Sequence, residues 1–250
     1  MNRVDLHFHL LPGVDDGPAD LDASLELARA ALAEATRTVV ATPHVRSDLG
    51  LTDAREIRDR VRELRAALAT ARIPLDVRRG GELGHELVFD MPREELDLLA
   101  QGPPGARWLL VETPFDGIGA DFHAATAELR ERGFGVLLAH PERSADAALD
   151  GSAGLRHELV AGSLAQLNAL SLTGGHGEEA RACAWTLLGG GMATVVASDA
   201  HGPTRPPALR LARRALVEGG QPARAADALI EAWPRRLLEG GIRPRTPVAA

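Results

Sequence analysis

The sequence predicts an α/β domain in which seven parallel strands and their helices form a distorted, TIM-like (β/α)7 barrel. Short apolar runs alternate with helix-forming segments along the chain, which is typical of a parallel sheet. The 250 residues show no linker or shift in composition, and this length fits one such barrel. We therefore predict a single domain over residues 1–240. The segment 241–250 is rich in Pro and Arg, and we expect it to be a mobile tail.

The strands predicted in the first half are short apolar runs that Pro or Gly residues soon end. They are Val4–His9, Thr38–Ala41, Leu75–Arg79 and Trp108–Val111. A helix is expected to begin at Asp20 or Asp22, where apolar residues start to recur at spacings of three and four. The clearest helix runs from Thr52 to Ala71, because one face is apolar and the other carries arginines and glutamates.

The second half continues the same alternation. Its strands are Phe134–Ala139, Ser163–Asn168 and Thr194–Ser198, and its helices are Asp121–Arg132, a segment that carries Cys183 and Trp185, and about 207–218 and 223–238. Gly133 ends the first of these helices, and three consecutive glycines from Gly189 end the second.

Composition excludes several functional classes. The net charge of −7 and pI near 5.7 disfavour a nucleic-acid partner, because such surfaces neutralise phosphates with cations. The chain has one cysteine and no lysine, which excludes an internal disulfide, a Walker lysine and Schiff-base chemistry. Cys183 is not followed by the arginine that a cysteine phosphatase needs, since position 189 is Gly. No run is long and apolar enough for a membrane span, and no signal stretch is recognisable, so we expect a cytoplasmic protein.

Six of the seven predicted strands end in residue types that bind metal ions. These residues are His7, His9, His44, Glu82, Glu112, His140, Asp199 and His201. In a parallel barrel all the strand ends lie at one face, so residues far apart in sequence are expected to converge. Asp15 or Asp16 in the first loop can add an oxygen ligand. The other four histidines, His85, His123, His157 and His176, lack this pattern, and we predict no site role for them.

This set exceeds the ligands that one ion needs, so it indicates two or three ions. Imidazole and carboxylate ligands without thiolate suit Mn, Fe or Zn, with Mg less favoured. Such clusters activate water and stabilise the oxygens of a phosphoryl transfer. Hydrolysis of a phosphoester is the reaction that the pattern favours.

Together these motifs resemble the polymerase and histidinol phosphatase (PHP) superfamily. The matching elements are His7-x-His9, Thr42-Pro43-His44, Glu82, Glu112, His140-Pro141 and Asp199-x-His201. The stretch from His9 to Pro18 further resembles the manganese-dependent bacterial protein-tyrosine phosphatases of capsular polysaccharide biosynthesis. The resemblance covers about residues 3–205 and implies a distorted seven-stranded barrel with three divalent metal ions, Mn being expected. It also implies a phosphotyrosine protein substrate, either a bacterial tyrosine kinase or an exopolysaccharide-assembly protein.

The resemblance also assigns roles to individual residues. The first metal would be held by His7, His9, Glu82 and Asp199, the second by Glu82, Glu112 and His140, and the third by Asp16, His44 and His201. Arg143 and Arg205 match the phosphate-binding arginines of the family, in agreement with the fit of guanidinium to phosphate oxygens. We count Arg143, Arg205, His44 and His201 as catalytic residues, around in-line attack by a metal-bridging hydroxide.

Two departures from the family leave the substrate open. Val45 stands where a second histidine is common, and the loop 46–51 lacks an aromatic that could contact a phosphotyrosine ring. Aromatic residues make up only 3% of the chain, and Phe8 and Phe115 are among the few candidates for this contact. The alternatives are a small-molecule phosphatase of the histidinol-phosphate type and a non-catalytic, metal-stabilised module of polysaccharide assembly; a nuclease is disfavoured by the acidic charge. The oligomeric state is not predicted.

Overall fold

The structure is a computed structural model that describes residues 2–50, 53–145 and 153–245. Its strands are β1 (Arg3–Phe8), β2 (Thr36–Ala41), β3 (His44–Val45), β4 (Asp76–Arg79), β5 (Glu82–Leu83), β6 (Trp108–Glu112), β7 (Gly135–Ala139), β8 (Leu164–Asn168) and β9 (Val195–Ala197). All the strand pairs are parallel, so the prediction of a parallel α/β fold is confirmed.

The helices surround these strands. They are α1 (Leu21–Ala33), α2 (Ala54–Thr70), α3 (Arg93–Leu99), α4 (Ala120–Glu131), α5 (Ala153–Val160), α6 (Glu178–Gly189), α7 (Leu209–Glu218), α8 (Ala223–Asp227) and α9 (Trp233–Gly240). A π-helical segment, Ala228–Ala232, joins α8 to α9. The first helix starts after Asp20, whose carboxylate accepts a hydrogen bond from the Ala23 amide at 2.9 Å. Among the helices in the described ranges, none combines the length and apolar character needed to cross a membrane.

The barrel is distorted because two of the seven predicted strands are each followed, after a break, by a short second strand that was not predicted. The break at Pro43 separates β2 from β3, and the break at Gly80 and Gly81 separates β4 from β5. The strands before the breaks, β2 and β4, join β1 in a three-stranded sheet in the order β1-β2-β4. The strands after the breaks, β3 and β5, belong to a six-stranded sheet in the order β3-β5-β6-β7-β8-β9. A Cβ on Gly81 would lie 2.8 Å from a methyl carbon of Val45, so glycine permits this close approach.

The first and last strands close the barrel. Phe8 forms a parallel bridge with Ala200, just beyond β9. The His9 amide donates to the Ala200 carbonyl at 2.9 Å, and the Asp199 amide donates to the His7 carbonyl at 3.0 Å. This closure brings the end of β1 beside the end of β9, although nearly two hundred residues separate them in sequence.

The interior of the barrel is filled by side chains from β1, β2, β6, β7 and β9. Val4, Leu6, Val40, Trp108, Leu110, Leu137, Ala139 and Val195 form one buried cluster together with Leu237, Leu238 and Ile242. The last three come from α9 and the segment after it, and the Trp108 indole donates to the Leu237 carbonyl at 2.9 Å. A larger apolar cluster lies between the strands and the surrounding helices. Polar side chains occupy the end of the barrel opposite this apolar cluster.

The predicted boundary at residue 240 falls inside packed structure. Ile242 is 5% exposed and its amide donates to the Ala106 carbonyl at 3.0 Å. Arg245 donates to the Val160 carbonyl at 3.3 Å. Residues 246–250 lie outside the described residues, so the mobile tail stays a prediction.

A buried ion pair fastens α5 to α4 on the outer layer. Glu158 is fully buried and accepts hydrogen bonds from Arg130 at 3.0 Å, Ser163 at 2.8 Å and Thr126 at 2.8 Å. His123 lies 2.7 Å from the same carboxylate, and His157 packs against His123. The carboxylate is already fully engaged, so we assign this cluster of His123, His157 and Glu158 to packing and not to metal binding.

We expect Glu158→Ala to lower the free energy of unfolding by about 3–5 kcal/mol, because it leaves the buried Arg130 guanidinium without its anion. Urea denaturation followed by circular dichroism measures this loss, and Glu131→Ala, at an exposed position of α4, is the matched control. Metal content and turnover should stay unchanged in both variants. A loss below about 1 kcal/mol for Glu158→Ala would contradict the assignment.

Candidate metal centre

The predicted ligands meet at the carboxyl-terminal mouth of the barrel. His7 lies in β1, His44 in β3, Glu82 in β5 and Glu112 at the end of β6. The others directly follow strands: His9 follows β1, His140 follows β7, and Asp199 and His201 follow β9. These eight side chains are buried, whereas Asp16, from the first loop, is about half exposed. The structure therefore brings together every residue that the sequence nominated as a ligand.

Glu82 is at the centre of the first group. Its Oε2 lies 3.1 Å from His7 Nε2, 3.3 Å from His9 Nε2 and 3.1 Å from His44 Nδ1. Asp199 Oδ1 lies 3.2 Å from His7 Nε2 and 3.4 Å from His9 Nε2. Ligand atoms held about 2.0–2.1 Å from one ion lie about 2.9–3.4 Å from one another. The separations in this group fit a shared divalent cation.

The hydrogen bonds of two histidines support the same conclusion. Gln166 Oε1 lies 3.0 Å from His7 Nδ1, and Asp15 Oδ2 lies 2.7 Å from His9 Nδ1. Both oxygens accept, so each Nδ1 carries a proton and each Nε2 is left with a lone pair. The two Nε2 atoms are only 3.1 Å apart. A cation or a proton must lie between them, since two lone pairs at this distance repel.

Two further groups adjoin the first. His9, Asp16, His44 and His201 place ligand atoms within 4.8 Å of one another, and so do His44, Glu82 and Glu112. His140 Nε2 lies 2.9 Å from the other oxygen of Glu82. Compared with the predicted assignment, the structure adds His9 to the third group and places His44 between the second and third groups. Glu82 therefore touches ligands of every group.

Within the described residues, several polar atoms of these side chains are buried and make no hydrogen bond of good geometry. They are His44 Nδ1, Glu82 Oε2, His140 Nδ1 and His201 Nε2. Buried polar atoms normally have partners, and imidazole nitrogens and carboxylate oxygens are the donor set of Mn, Fe and Zn. The residues present therefore fit the divalent ions that the sequence predicts.

Burial and close charges shift the pKa values in the cluster. Burial lowers the pKa of His7, but Glu82 and Asp199 outweigh it and raise that pKa to about 9. Burial raises the pKa of Glu82, yet the surrounding imidazoles hold it well below its usual range. Burial also raises the pKa of Asp199, but His7 and His9 outweigh it and hold that pKa below its usual range. The carboxylates stay ionised, which is the state that binds a cation.

Two ligands have unusual backbone geometry. His140 has a φ of 34° and Asp199 a φ of 52°, in the left-handed region that residues other than glycine rarely adopt. Each follows the last residues of a strand, and the change of direction turns the side chain toward Glu82 or the paired histidines. Strained residues of this kind cluster at functional sites.

The sequence did not reveal the side chains that hold the ligands in place. Asn168 donates to Asp199 Oδ2 at 2.8 Å, and Gln166 orients His7 as described above. Glu142 is buried and accepts from the Asn168 amide at 2.9 Å and from Ser171 at 2.7 Å. Burial raises the pKa of Glu142. Two of these residues lie in β8, the strand that ends without a ligand, so that strand supports the site indirectly.

We expect Asp15→Asn to weaken metal binding by about 10–100-fold, the usual cost of losing the partner of a ligating histidine. Asp15 accepts from His9 and from the His44 amide at 3.0 Å, so it orients two ligands at once. Competition with a chromophoric chelator measures the affinity for Mn²⁺. Asp22→Asn, in the exposed first turn of α1, is the control, and equal affinity in both variants would contradict this role.

The two predicted phosphate-binding arginines lie at the rim of the cluster. Arg143 Nη1 is 3.3 Å from Asp199 Oδ2, and Arg205 Nη2 is 2.5 Å from Asp16 Oδ2. Both side chains are partly exposed, so their guanidinium groups border the mouth without being sealed inside it. A third arginine, Arg46, donates to Glu112 at 2.7 Å; the sequence analysis did not single it out.

The two aromatic candidates differ. Phe8 is fully buried in the core, so the prediction that it could contact a substrate ring is wrong. Phe115 is 47% exposed and stacks on His140. His176, for which we predicted no role, hydrogen-bonds to Ser171 at 2.9 Å, and burial and Arg143 lower its pKa to about 4.

A parallel barrel with clustered histidines and carboxylates at its mouth defines the class of barrel metallohydrolases. The chain belongs to the CpsB/CapC family of capsular polysaccharide synthesis, whose model matches residues 3–239. It is 32% identical over 200 residues to the tyrosine-protein phosphatase YwqE of Bacillus subtilis strain 168, covering 79% of this chain and 77% of that protein. It is 30% identical over 207 residues to the putative tyrosine-protein phosphatase CapC of Staphylococcus aureus, covering 82% and 79%.

Solved structures agree with this family assignment. The fold matches the crystal structures of YwqE from Bacillus subtilis and CpsB from Streptococcus pneumoniae, described as unique metal-dependent tyrosine phosphatases. The TM-score is 0.80 at 28% identity, over 99% of this chain and 100% of that one. The phosphotriesterase homology protein of Escherichia coli, at 14% identity, covers 94% of this chain and 98% of its own with a TM-score of 0.59, and it shares the fold alone. The predicted superfamily and barrel class are confirmed.

Proposed function

We propose that this chain is a metal-dependent protein-tyrosine phosphatase that acts on a bacterial tyrosine kinase or an exopolysaccharide-assembly protein. Membership of the CpsB/CapC family and similarity to the tyrosine-protein phosphatases YwqE and CpsB and the putative one CapC support this proposal. The observation that carries it is the meeting of buried ligand atoms around Glu82 with two arginines at the rim. That arrangement can neutralise a phosphoryl group and hold its oxygens.

The proposed site contains three divalent ions, with Mn expected. His7, His9, Glu82 and Asp199 would hold one, and the groups that share His44 and Glu82 would hold the others. Ions bound there would acidify water and offset the charge that grows on the phosphoryl oxygens. The predicted cytoplasmic location stays a prediction.

The protein's own groups perform the remaining steps. Arg143 and Arg205 would bind the phosphoryl oxygens as forked donors and align the ester bond. His44 and His201 face Asp16, with His201 Nε2 3.1 Å and His44 Nε2 3.5 Å from its Oδ1. Both imidazoles would hold the third ion through these nitrogens, so water at the mouth would supply the proton that the leaving phenolate takes up.

A substrate panel on metal-loaded protein tests the proposal. A phosphotyrosine peptide, histidinol phosphate and p-nitrophenyl phosphate should be assayed beside elemental analysis of the bound metal. We expect the peptide to have the highest kcat/KM of the physiological candidates. A clear preference for histidinol phosphate would replace the proposed substrate with a small molecule. Tight metal binding without hydrolysis at any pH would indicate a non-catalytic module.

A further inference from the structure

A small cleft of about 260 Å³ opens beside Glu112. Its walls include Arg46, Pro114, Phe115 and Asp116. Pockets for drug-sized ligands have volumes of about 300–1,000 Å³. This cleft is therefore sized for one side chain, and Glu112 at its wall joins it to the metal centre.

Phe115 links this cleft to the phosphate-binding edge of the centre. Its ring is nearly parallel to the His140 imidazole, with 5.8 Å between centroids and 4° between planes. The Arg143 guanidinium carbon lies 4.8 Å from the centroid of the same ring. Almost half of the Phe115 surface is nevertheless exposed. An apolar ring is thus presented to solvent within contact of a proposed ligand and a proposed phosphate-binding arginine.

Arg46 forms another wall of the cleft and is held in a fixed orientation. Its Nη1 donates to Glu112 at 2.7 Å, and its Nε and Nη2 donate to the two oxygens of Asp48, each at 2.9 Å. A planar guanidinium fixed in this way can stack on an aromatic ring. The cleft therefore has a benzene ring and a guanidinium among its walls, which is a chemistry that suits an aromatic occupant.

The chemistry of the substrate places a ring at this point. In an aryl phosphate the ester oxygen is bonded to the ring itself, so a phosphoryl group near Arg143 brings the ring within reach of Phe115. Alkyl and acyl phosphates have no ring to make this contact. We propose that Phe115, together with Arg46 in the wall of the same cleft, is the specificity determinant that favours aryl phosphomonoesters. This inference rests on the proposed phosphatase function.

Kinetics with ringed and ring-free substrates test the proposal. The kcat/KM of wild type, Phe115→Ala, Phe115→Leu and Phe115→Trp should be measured with a phosphotyrosine peptide, p-nitrophenyl phosphate and acetyl phosphate. We expect Phe115→Ala and Phe115→Leu to lose about tenfold on both aryl substrates, a loss of the size expected for one aromatic contact. Both should stay within about twofold of wild type on acetyl phosphate, and Phe115→Trp should retain activity on all three. Phe89→Ala, another exposed phenylalanine, is the control.

Equal losses on aryl and acetyl phosphates would overturn the proposal, because Phe115 would then act only by packing on His140. A binding experiment distinguishes failure of this proposal from failure of the proposed phosphatase function. Metal-loaded protein is titrated with a peptide that carries phosphonomethyl-phenylalanine and, separately, with inorganic phosphate. Phe115→Ala should lower the affinity for the peptide about tenfold and leave the affinity for inorganic phosphate unchanged, even if no substrate is hydrolysed. Unchanged peptide affinity would also overturn the proposal, whereas absence of turnover in wild type would overturn the phosphatase function alone.

Discussion

Glu82→Gln is expected to abolish most of the activity, with a fall in kcat/KM of about 10³-fold or more. Glu82 Oε2 is surrounded by nitrogen atoms of three histidines at 3.1–3.3 Å, and His140 lies 2.9 Å from Oε1. Glutamine has nearly the same shape but no negative charge, so it would bind divalent cations much more weakly than Glu82. Metal ions contribute several kcal/mol of charge stabilisation to such reactions, and each 1.36 kcal/mol is tenfold in rate.

Elemental analysis and kinetics on the same preparation check this expectation. The variant should hold at least one divalent ion fewer per chain than wild type, and added Mn²⁺ should not restore its activity. Glu131→Gln on α4 is the control for loss of a carboxylate at the surface. Circular dichroism verifies that the variant is folded. If Glu82→Gln keeps both the full metal content and full turnover, the assignment of the centre is wrong.

Much of the site could be predicted from the sequence because residues at the ends of parallel strands meet at one face of the barrel. Each strand-end motif is readable alone: His7-x-His9 before a Pro-Gly loop, His44 after Pro43, and Glu112 after a buried run. The parallel alternation of strands and helices then requires these ends to meet at one face. No knowledge of long-range contacts was needed, since the topology supplies them.

The two short strands β3 and β5 could not be predicted from the sequence. The predicted strands stop at Ala41 and Arg79, because Pro43 and the paired glycines were interpreted as strand endings. In the structure the chain resumes pairing beyond each break, with His44 beside Glu82 in a second sheet. The outcome depends on which partner strand lies alongside after the break, and local propensity does not encode that.

The residues that orient the ligands could not be predicted from the sequence either. Gln166 and Asn168 lie in a strand that has no ligand at its end, and their side chains matter only because β8 pairs between β7 and β9. Arg46 lies in the loop 46–51, and no pattern in the sequence indicates that it reaches Glu112. Such roles follow from three-dimensional neighbours and leave no periodic signal. The ligands carry a pattern, whereas the residues that orient them do not.

Arg143→Ala is expected to lower kcat/KM by about 10²–10³-fold, the usual effect of removing one donor to a developing oxyanion. Its guanidinium lies at the mouth, 3.3 Å from Asp199 Oδ2 and against the ring of Phe115. Arg143→Lys should recover only part of the loss, because an ammonium keeps the charge but not the forked geometry that matches two phosphate oxygens. Arg58→Ala, on the exposed side of α2, should behave like wild type.

The contact with Asp199 gives Arg143 a possible second role, and the measurements must separate the two. If Arg143 binds phosphate, Arg143→Ala keeps the metal content of wild type, and its affinity for inorganic phosphate falls together with kcat/KM. If Arg143 serves only to orient Asp199, the variant loses metal, and excess Mn²⁺ restores turnover. Restoration by Mn²⁺ would therefore remove Arg143 from the phosphate site. Persistent loss at full metal occupancy would instead support direct contact with the phosphoryl oxygens, because a partly exposed, forked guanidinium at the mouth can pair with two of them.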